Sequence, residues 1–155
     1  MKVKDFMITE VISARQETTI KEVMKLFVEK NIGGVPIIDN EGKLAGIVTD
    51  GDILRAIKPI GPSIQNYFSF SMYFEGRDLE HGLDDVADRE VMEIAKSKGI
   101  VTVTAEDEMS KVVLLLSKHH FKKLPVIDQS NRVVGVISRG DVIRNIQRTI
   151  LNEWE

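Results

Sequence analysis

One segment of this chain occurs twice in altered form. The first copy, GVPIIDNEGKLAGIVTDGDILRAI, occupies residues 34–57, and the second copy, KLPVIDQSNRVVGVISRGDVIRNI, occupies residues 123–146. An offset of 89 residues (125 − 36) aligns Pro36 with Pro125 and Asp52 with Asp141, and no gap is needed. One unit of this size would have a marginal core on its own. The duplication therefore predicts two similar halves that bury faces against each other.

Apolar spacing extends the repeat upstream of the duplicated segment. Four positions at helical spacing (i, i+3, i+4, i+7) are apolar in both copies: Ile20, Val23, Met24 and Phe27, then Met109, Val112, Val113 and Leu116. A short apolar alternation precedes each helix, at residues 11–14 and 100–103. Thr19 and Glu22 predict a capping box for the first helix, and Gly33 and Gly34 are expected to end it. Each unit therefore reads strand, helix, strand, strand, helix.

Composition excludes several classes of protein. With 43% hydrophobic and 29% charged residues among 155, the chain is expected to be globular. It has no cysteine, so it forms no disulfide and has no thiolate chemistry. A net charge of −3 argues against nucleic acid as the main partner. The N-terminus MKVKDFMITE lacks the apolar core of a secretory signal, and no apolar run is long enough for membrane insertion. We expect a cytoplasmic protein.

The two copies are separated by an unusual insert. We divide the chain into a first motif at residues 1–57, an insert at 58–85, and a second motif with a C-terminal helix at 86–155. The prolines of PIGP end the helix before the insert. The stretch YFSFSMYF at residues 67–74 holds five of the nine aromatic residues. We expect it to be ordered and shielded, packed on the module's own surface, and packing on a second copy is the other interpretation.

The junctions between strand and helix carry the most informative motifs, GIVTDGD at residues 46–52 and GVISRGD at residues 135–141. Each motif places a hydroxyl three residues before an acid. This pattern is a helix-capping box that needs no ligand. It also marks a helix start, where free N–H groups can hold a phosphate or a ribose. Gly46 and Gly135 would allow the flat base of a ligand to approach the strand.

These residues resemble those of the paired cystathionine β-synthase (CBS) domains, often called a Bateman module. The resemblance rests on GVPIID and KLPVID, and on G-h-h-[ST]-x-x-D in both copies, where h is apolar. It covers the chain except for the insert and the last few residues. It implies an α/β (α+β) fold of two tandem β-α-β-β-α motifs, packed into one module by pseudo-two-fold symmetry. In that family the hydroxyl and acid of the motif contact the ribose and phosphate of an adenine nucleotide, and residues before the proline line the adenine pocket.

The resemblance and the charges beside the motifs select the candidate ligand-binding residues. They are Ser13, Gly34, Val35, Pro36, Thr49 and Asp52 in the first half, and Thr102, Lys122, Lys123, Leu124, Pro125, Ser138, Arg139 and Asp141 in the second. The cations beside the second motif favour phosphate binding. We therefore expect the tighter cleft to contain Thr102, Lys122, Ser138, Arg139 and Asp141. The alternative for the cations is a solvated basic face.

The functional expectation is a regulatory module. It would bind AMP, ADP or ATP in a cleft between the motifs and transmit a conformational change to a separate effector protein. S-adenosylmethionine and NAD-type ligands also fit the resemblance. The alternative is a ligand-free structural or dimerisation module, and in either case we expect a homodimer paired through helices. No nucleophile and base are paired by spacing, so no enzyme activity and no catalytic residue are predicted. His119 and His120 lack the i, i+4 spacing of a metal pair.

Overall fold

The structure is a computed structural model that describes residues 1–119 and 121–154, with side chains through residue 152. Its helices are α1 (Ile20–Lys30), α2 (Asp50–Ile57), α3 (Leu79–Val86), α4 (Met109–Lys118) and α5 (Arg139–Trp154). Its strands are β1 (Ala14–Arg15), β2 (Gly34–Ile38), β3 (Leu44–Thr49), β4 (Ser63–Asn66), β5 (Ser71–Phe74), β6 (Lys123–Ile127) and β7 (Val133–Ser138). Short 3-10 turns lie at Val3–Asp5 and Val91–Glu93.

The two halves have the same strand pairing, which confirms the predicted fold of two tandem motifs. Gly34 pairs with Thr49 between the antiparallel strands β2 and β3, and Lys123 pairs with Ser138 between β6 and β7. Each hairpin has one irregularity, between residues 37 and 38 and between residues 126 and 127. The parallel pair β1–β2 also has a counterpart, since residue 14 pairs with 37 and residue 103 with 126. The offset of 89 relates every one of these contacts.

Upstream of these strands the offset changes to 88. The 3-10 turn at Val3–Asp5 corresponds to the turn at Val91–Glu93. Ile8 pairs with Val136, whereas Lys96 pairs with Ile47, the position equivalent to Val136. The counterpart of Ile8 is therefore Lys96, whereas the offset of 89 predicts residue 97. The second copy has one extra residue between this bridge and its first strand.

The N-terminal segments of the two halves are exchanged. Val3 is fully buried in the core of the second half, whereas Val86 and Val91 are buried in the core of the first. Paired backbone hydrogen bonds attach each segment to the other half, at 2.8–3.0 Å between residues 8 and 136 and at 2.9 Å between residues 47 and 96. The division at residues 57 and 86 stays a prediction about the sequence units. Each hydrophobic core includes residues from both sides of that division.

A local pseudo-two-fold relates the tips of the two main hairpins. The amide of Leu44 donates to the carbonyl of Asn131, and the amide of Val133 donates to the carbonyl of Gly42, at 2.9 and 3.0 Å. The two bonds are equivalent, because the offset of 89 aligns Leu44 with Val133 and Gly42 with Asn131. Gly42 and Asn131 are equivalent and both have left-handed backbones, with φ of 78° and 63°. The axis therefore passes between the two hairpin tips.

The start of α1 is as predicted, but its end is not. Thr19 accepts a hydrogen bond from the amide of Glu22, and the carboxylate of Glu22 accepts one from the amide of Thr19, which completes the capping box. The helix ends at Asn31, which has a left-handed backbone (φ 51°) and takes the place expected of Gly33 and Gly34. Asn tolerates this conformation because its short polar side chain bonds locally. Gly34 instead begins β2.

The insert forms a hairpin, β4–β5, followed by α3. α3 packs on the first half, where Val86 is buried and Gly82 lies against the backbone of Ile57, and Arg77 just before α3 donates to the carbonyl of Ala56. Every residue of β4 and β5 is exposed, and the ring of Phe68 is fully exposed. The expectation that residues 67–74 pack on the module's own surface is therefore wrong. The two-stranded ribbon projects from the module, and no described element covers either of its faces.

Among the described residues, none of the helices has both the length and the apolar character needed to span a bilayer.

Candidate functional site

A cavity of about 400 Å³ lies between the two halves. The first half contributes the start of β2, the end of β3 and the start of α2. The second half contributes the chain leading into β6 and residues 96, 100 and 101, which follow the second 3-10 turn. The lining residues with polar or charged side chains are Thr49, Asp50, Asp52, Arg55, Lys96, Lys122 and Lys123. The candidate residues Gly34, Val35, Pro36, Leu124 and Pro125 also line it. The structure therefore brings candidates from both halves to one cavity.

Thr49 and Asp52 form a complete capping box at the start of α2. The backbone amide and the hydroxyl of Thr49 donate to Oδ2 of Asp52 at 2.8 and 3.0 Å. The amide of Asp52 donates back to Oγ1 of Thr49 at 3.4 Å. Arg55 donates to Oδ1 of Asp52 at 2.7 Å. The carboxylate is thus fixed at the cavity wall, and Oδ1 keeps a lone pair for another donor.

Lys122 and Asp50 form an ion pair between the halves at the rim of the cavity. The ammonium nitrogen lies 3.2 Å from both carboxylate oxygens. Gly33 makes room for this carboxylate, because an added Cβ there would lie 2.8 Å from Oδ2 of Asp50. The side chain of Lys122 is 64% exposed and that of Asp50 is 46% exposed. The pair is therefore accessible to a competing anion.

Lys123 places a second positive charge in the wall. Its ammonium donates to the carbonyl of Gly34 at 3.3 Å, across the boundary between the halves. Burial lowers the pKa of Lys123, and the nearby charge of Asp141 opposes that shift. Gly34 is the equivalent residue of the first half and has no side chain. The space that Gly34 leaves open beside Thr49 belongs to the cavity.

The rest of the wall is mainly apolar. Ile100, Val101 and Val136 line it with Phe121, whose ring is half-buried. The ammonium of Lys96 lies 5.6 Å from the centre of the Phe121 ring. An apolar wall with an aromatic ring suits a flat heterocycle, and the polar groups at the helix start suit a sugar or an anion.

The second junction repeats the first, but its residues Ser138, Arg139 and Asp141 do not line this cavity. Ser138 donates through its hydroxyl to Oδ2 of Asp141 at 2.5 Å, and Arg144 donates to Oδ1 at 2.8 Å. Burial would raise the pKa of Asp141, but these hydrogen bonds outweigh burial and hold the pKa below its usual range. Arg139 donates instead to the carbonyl of His119 at 3.1 Å.

The expected grouping of one cleft therefore differs from the structure. Lys122 lies with the first junction because its side chain crosses to Asp50, whereas Thr102, Ser138, Arg139 and Asp141 are not part of the cavity lining. Ser13 is also outside it. A ligand role for these residues stays a prediction.

The two strand glycines serve a different purpose from the one expected. Neither Gly46 nor Gly135 lines the cavity, and both are buried. A Cβ at Gly46 would lie 3.1 Å from the carbonyl oxygen of Lys96, and one at Gly135 would lie 3.1 Å from that of Ile8. Both glycines therefore admit the exchanged segments, and the proposed approach of a ligand base at these positions was wrong.

Sequence reasoning missed several residues of the wall. Asp50, Arg55, Lys96 and Phe121 were not among the candidates. Arg55 had a usable signal, because an arginine follows the acid by three residues in both copies, as Asp52–Arg55 and Asp141–Arg144. Phe121 had one too, because it directly precedes the candidates Lys122 and Lys123 in the stretch before the proline. Lys96 had none, since the fold brings it to the cavity from a distant part of the chain.

In the part of the chain that the structure describes, no three His, Cys, Asp or Glu side chains are grouped to hold a metal ion. Of the two adjacent histidines, His120 lies outside the described residues.

Comparison with known proteins identifies the family. The sequence model of the CBS domain matches residues 3–59 and 90–148. The uncharacterised protein MJ0188 of Methanocaldococcus jannaschii is 30% identical over 156 aligned residues, which cover 100% of this chain and 48% of that protein. The chain thus spans about half the length of this curated relative.

Solved structures agree with this match. The CBS domain pair of protein MJ0100, in complex with 5′-methylthioadenosine and S-adenosyl-L-methionine, has a TM-score of 0.71 and 26% identity over 96% of this chain and 98% of that one. CBSX2 of Arabidopsis thaliana in complex with AMP has a TM-score of 0.73 over 96% of this chain and 97% of that one, and at 23% identity it shows the fold alone. The chain therefore belongs to the CBS domain family, as a tandem pair of CBS domains.

Proposed function

We propose that this module senses an adenosine-containing ligand, which binds in the cavity between its halves. The observation that carries the proposal is the composition of one cavity. Its wall combines the hydroxyl and acid of Thr49 and Asp52, an apolar surface with Phe121, and the ammonium groups of Lys122 and Lys123. These groups match, in order, a ribose, a base and a phosphate. The related MJ0100 domain pair, which binds two adenosine compounds, supports the same class of ligand.

The chemistry of Asp52 favours a ribose diol. Among the described residues, its Oδ1 atom bonds Arg55 alone, whose side chain is 71% exposed and free to move aside. A carboxylate that accepts from a sugar hydroxyl forms a charge-assisted hydrogen bond, which a backbone carbonyl cannot match. The base would then lie against Phe121, and a phosphate would reach Lys122 at the rim. AMP, ADP and ATP are the nucleotides that we propose.

The signal would be a change in the relative position and orientation of the two halves. A ligand in this cavity contacts residues from both halves, so it binds best to one relative arrangement and shifts the population toward it. A phosphate also competes with Asp50 for Lys122. No bond is broken, and we propose that a separate effector protein in the cytoplasm reads the arrangement.

A ligand-free structural module is the second candidate. Its supporting observation is that each capping box is satisfied within the chain. Asp141, which lies outside the cavity lining, has the same partners as Asp52. The geometry of Thr49 and Asp52 therefore does not by itself require a ligand.

Calorimetric titration and thermal unfolding test the proposal. The ligands are AMP, 5′-methylthioadenosine and adenosine, with GMP as the control for the base. Asp52→Asn and Asp141→Asn are a matched pair, because the amide oxygen of asparagine can still accept from the backbone N–H of Thr49 or Ser138, and only Asp52 lines the cavity. We expect saturating AMP, at about 100 times its Kd, to stabilise the wild type and Asp141→Asn by about 2.7 kcal/mol. Asp52→Asn should bind about tenfold more weakly.

Two results contradict the proposal. If millimolar adenosine compounds leave the unfolding temperature unchanged, the structural module is the better account. If Asp52→Asn and Asp141→Asn bind AMP equally well, the cavity is not the site.

A further inference from the structure

The β4–β5 hairpin is an uncharged, aromatic arm. Residues 59–74 contain no charged side chain. Four antiparallel pairs, from residues 63 and 74 to residues 66 and 71, form its ladder. Tyr67 and Phe70 stack at the tip, with ring centres 5.0 Å apart.

The exposed apolar side chains of the hairpin lie at its tip and on both of its faces, since Ile64 and Tyr73 pair on one face and Met72 lies on the other. The large side chains that are 44–110% exposed are Ile64, Tyr67, Phe68, Phe70, Met72 and Tyr73. Their exposed area is on the order of 700 Å², from about 200 Å² for each fully exposed side chain. This total is shared by the tip and both faces and is not one patch, whereas the largest single apolar patch on a typical monomer is about 300–600 Å². A standard specific interface buries about 800 Å² on each partner.

The arm is fixed at its base and open along its sides. The backbones of Ile60 and Arg77 exchange hydrogen bonds of 2.9 and 2.8 Å below the ladder. The guanidinium of Arg77 donates to the carbonyl of Ala56 at 2.6 Å, which ties the arm to α2. Beyond this base, both outer edges of the ribbon present unpaired backbone groups in the described structure. Two strands alone are marginally stable in water, whereas three or more with an apolar face are stable.

We propose that this hairpin is a homotypic interface, which packs against the hairpin of a second copy of the chain. A two-fold arrangement packs the tip and one face of each hairpin against those of the other, so that two identical neutral, apolar surfaces cover each other. This interface is separate from the cavity and does not depend on the proposed ligand.

Charge argues against a membrane as the occupant. Residues 75–90, which follow the arm, contain seven acidic and two basic side chains. Membrane-binding segments usually combine apolar residues with a basic rim, because the cytoplasmic leaflet is negatively charged. An acidic base would be repelled from such a surface, whereas in the two-fold dimer the contact itself is between uncharged residues.

Sedimentation of the full chain without nucleotide tests the proposal. We expect a dimer at micromolar concentration, and we expect the double variant Phe68→Ser/Tyr73→Ser to dissociate at least tenfold more readily. Both side chains are exposed, so circular dichroism should show an unchanged fold. The matched control is Leu54→Ser on α2, which removes a side chain that is 63% exposed and lies outside the hairpin.

Cross-linking gives an independent measure, since the chain has no cysteine of its own. Ser69→Cys at the tip should form covalent dimers with a short bis-maleimide, whereas Lys21→Cys on α1 should not. Adding Phe68→Ser/Tyr73→Ser should abolish the tip cross-link.

Three outcomes overturn the proposal. The first is a wild type that is monomeric at tens of micromolar, and the second is a dimer that the hairpin variant leaves intact, as a dimer paired through helices would be. The third is a monomer whose hairpin binds vesicles of phosphatidylcholine and phosphatidylserine, which would identify a membrane as the occupant. Dissociation of the hairpin variant supports the interface, whatever the behaviour of Leu54→Ser.

Discussion

Lys122 and Asp50 join the two halves at the rim of the cavity, with the ammonium nitrogen 3.2 Å from both carboxylate oxygens. Both side chains are substantially exposed, so the pair contributes little to folding, at most about 1 kcal/mol. Under the proposed function, a phosphate at the rim would take the place of the Asp50 carboxylate beside Lys122. We therefore expect substitutions of Lys122 and of Asp50 to change the affinity for AMP in opposite directions.

Removing the cation should weaken nucleotides selectively. For Lys122→Met we expect an about fivefold loss of AMP affinity, since an exposed charge-assisted contact is worth roughly 1 kcal/mol, and little change for adenosine. Titration of both ligands measures the difference. The control is Lys118→Met, an exposed lysine on α4 that does not line the cavity. Equal losses for AMP and adenosine would show that Lys122 does not contact the phosphate.

Removing the anion should have the opposite effect. Asp50→Asn frees Lys122 for the phosphate, so we expect AMP to bind about two- to fivefold more tightly while adenosine is unaffected. The same variant removes a negative charge from the first turn of α2, which costs roughly 0.3–1 kcal/mol of stability. Calorimetry gives the affinities, and urea unfolding gives the stability. Weaker AMP binding by Asp50→Asn would mean that Asp50 itself contacts the ligand.

Local patterns predicted much of this fold. The offset of 89 came from the sequence, and it correctly predicted that Gly34 is equivalent to Lys123 and Thr49 to Ser138. Gly34 pairs with Thr49 in one ladder, and Lys123 pairs with Ser138 in the other. The caps at Thr19 and Thr49 were also predictable, because a capping box depends on residues three positions apart.

Features set by distant contacts were not predictable. Val3 and Val91 are buried in the opposite halves from those their sequence positions indicate, and no local signal marks such an exchange. Lys122 was grouped with the nearby motif, but its long side chain crosses to a carboxylate in the other half. The aromatic insert was expected to be covered by its own module, because composition alone does not say which molecule covers an apolar segment.

The exchanged segments predict the effect of substituting two glycines. The Cβ of an alanine at Gly46 or Gly135 would lie 3.1 Å from a carbonyl oxygen of the exchanged segment that packs there. At Gly135 it would also lie 2.8 Å from Sδ of Met7. We expect each variant to lose about 1–3 kcal/mol of stability from this overpacking. Urea unfolding with and without AMP provides the test. A ligand-binding role would instead give normal stability without AMP and a loss of the stabilisation that AMP confers.

The hydrogen bonds of Asp141 predict how stability depends on pH. Although burial opposes the shift, its pKa in the folded protein is lowered by Ser138 and Arg144. The unfolded chain therefore binds a proton more readily, so the contribution of Asp141 is present above the unfolded pKa of about 3.9 and is lost as pH falls through the lower folded value. We expect the stability of the wild type to fall as pH drops below the unfolded pKa of about 3.9, and to fall less steeply in Asp141→Asn. Ser138→Ala, which removes one donor and keeps the carboxylate, should give an intermediate slope. Urea unfolding across this range measures all three proteins. If the two variants follow the wild-type slope, Asp141 does not contribute to the acid sensitivity of the fold.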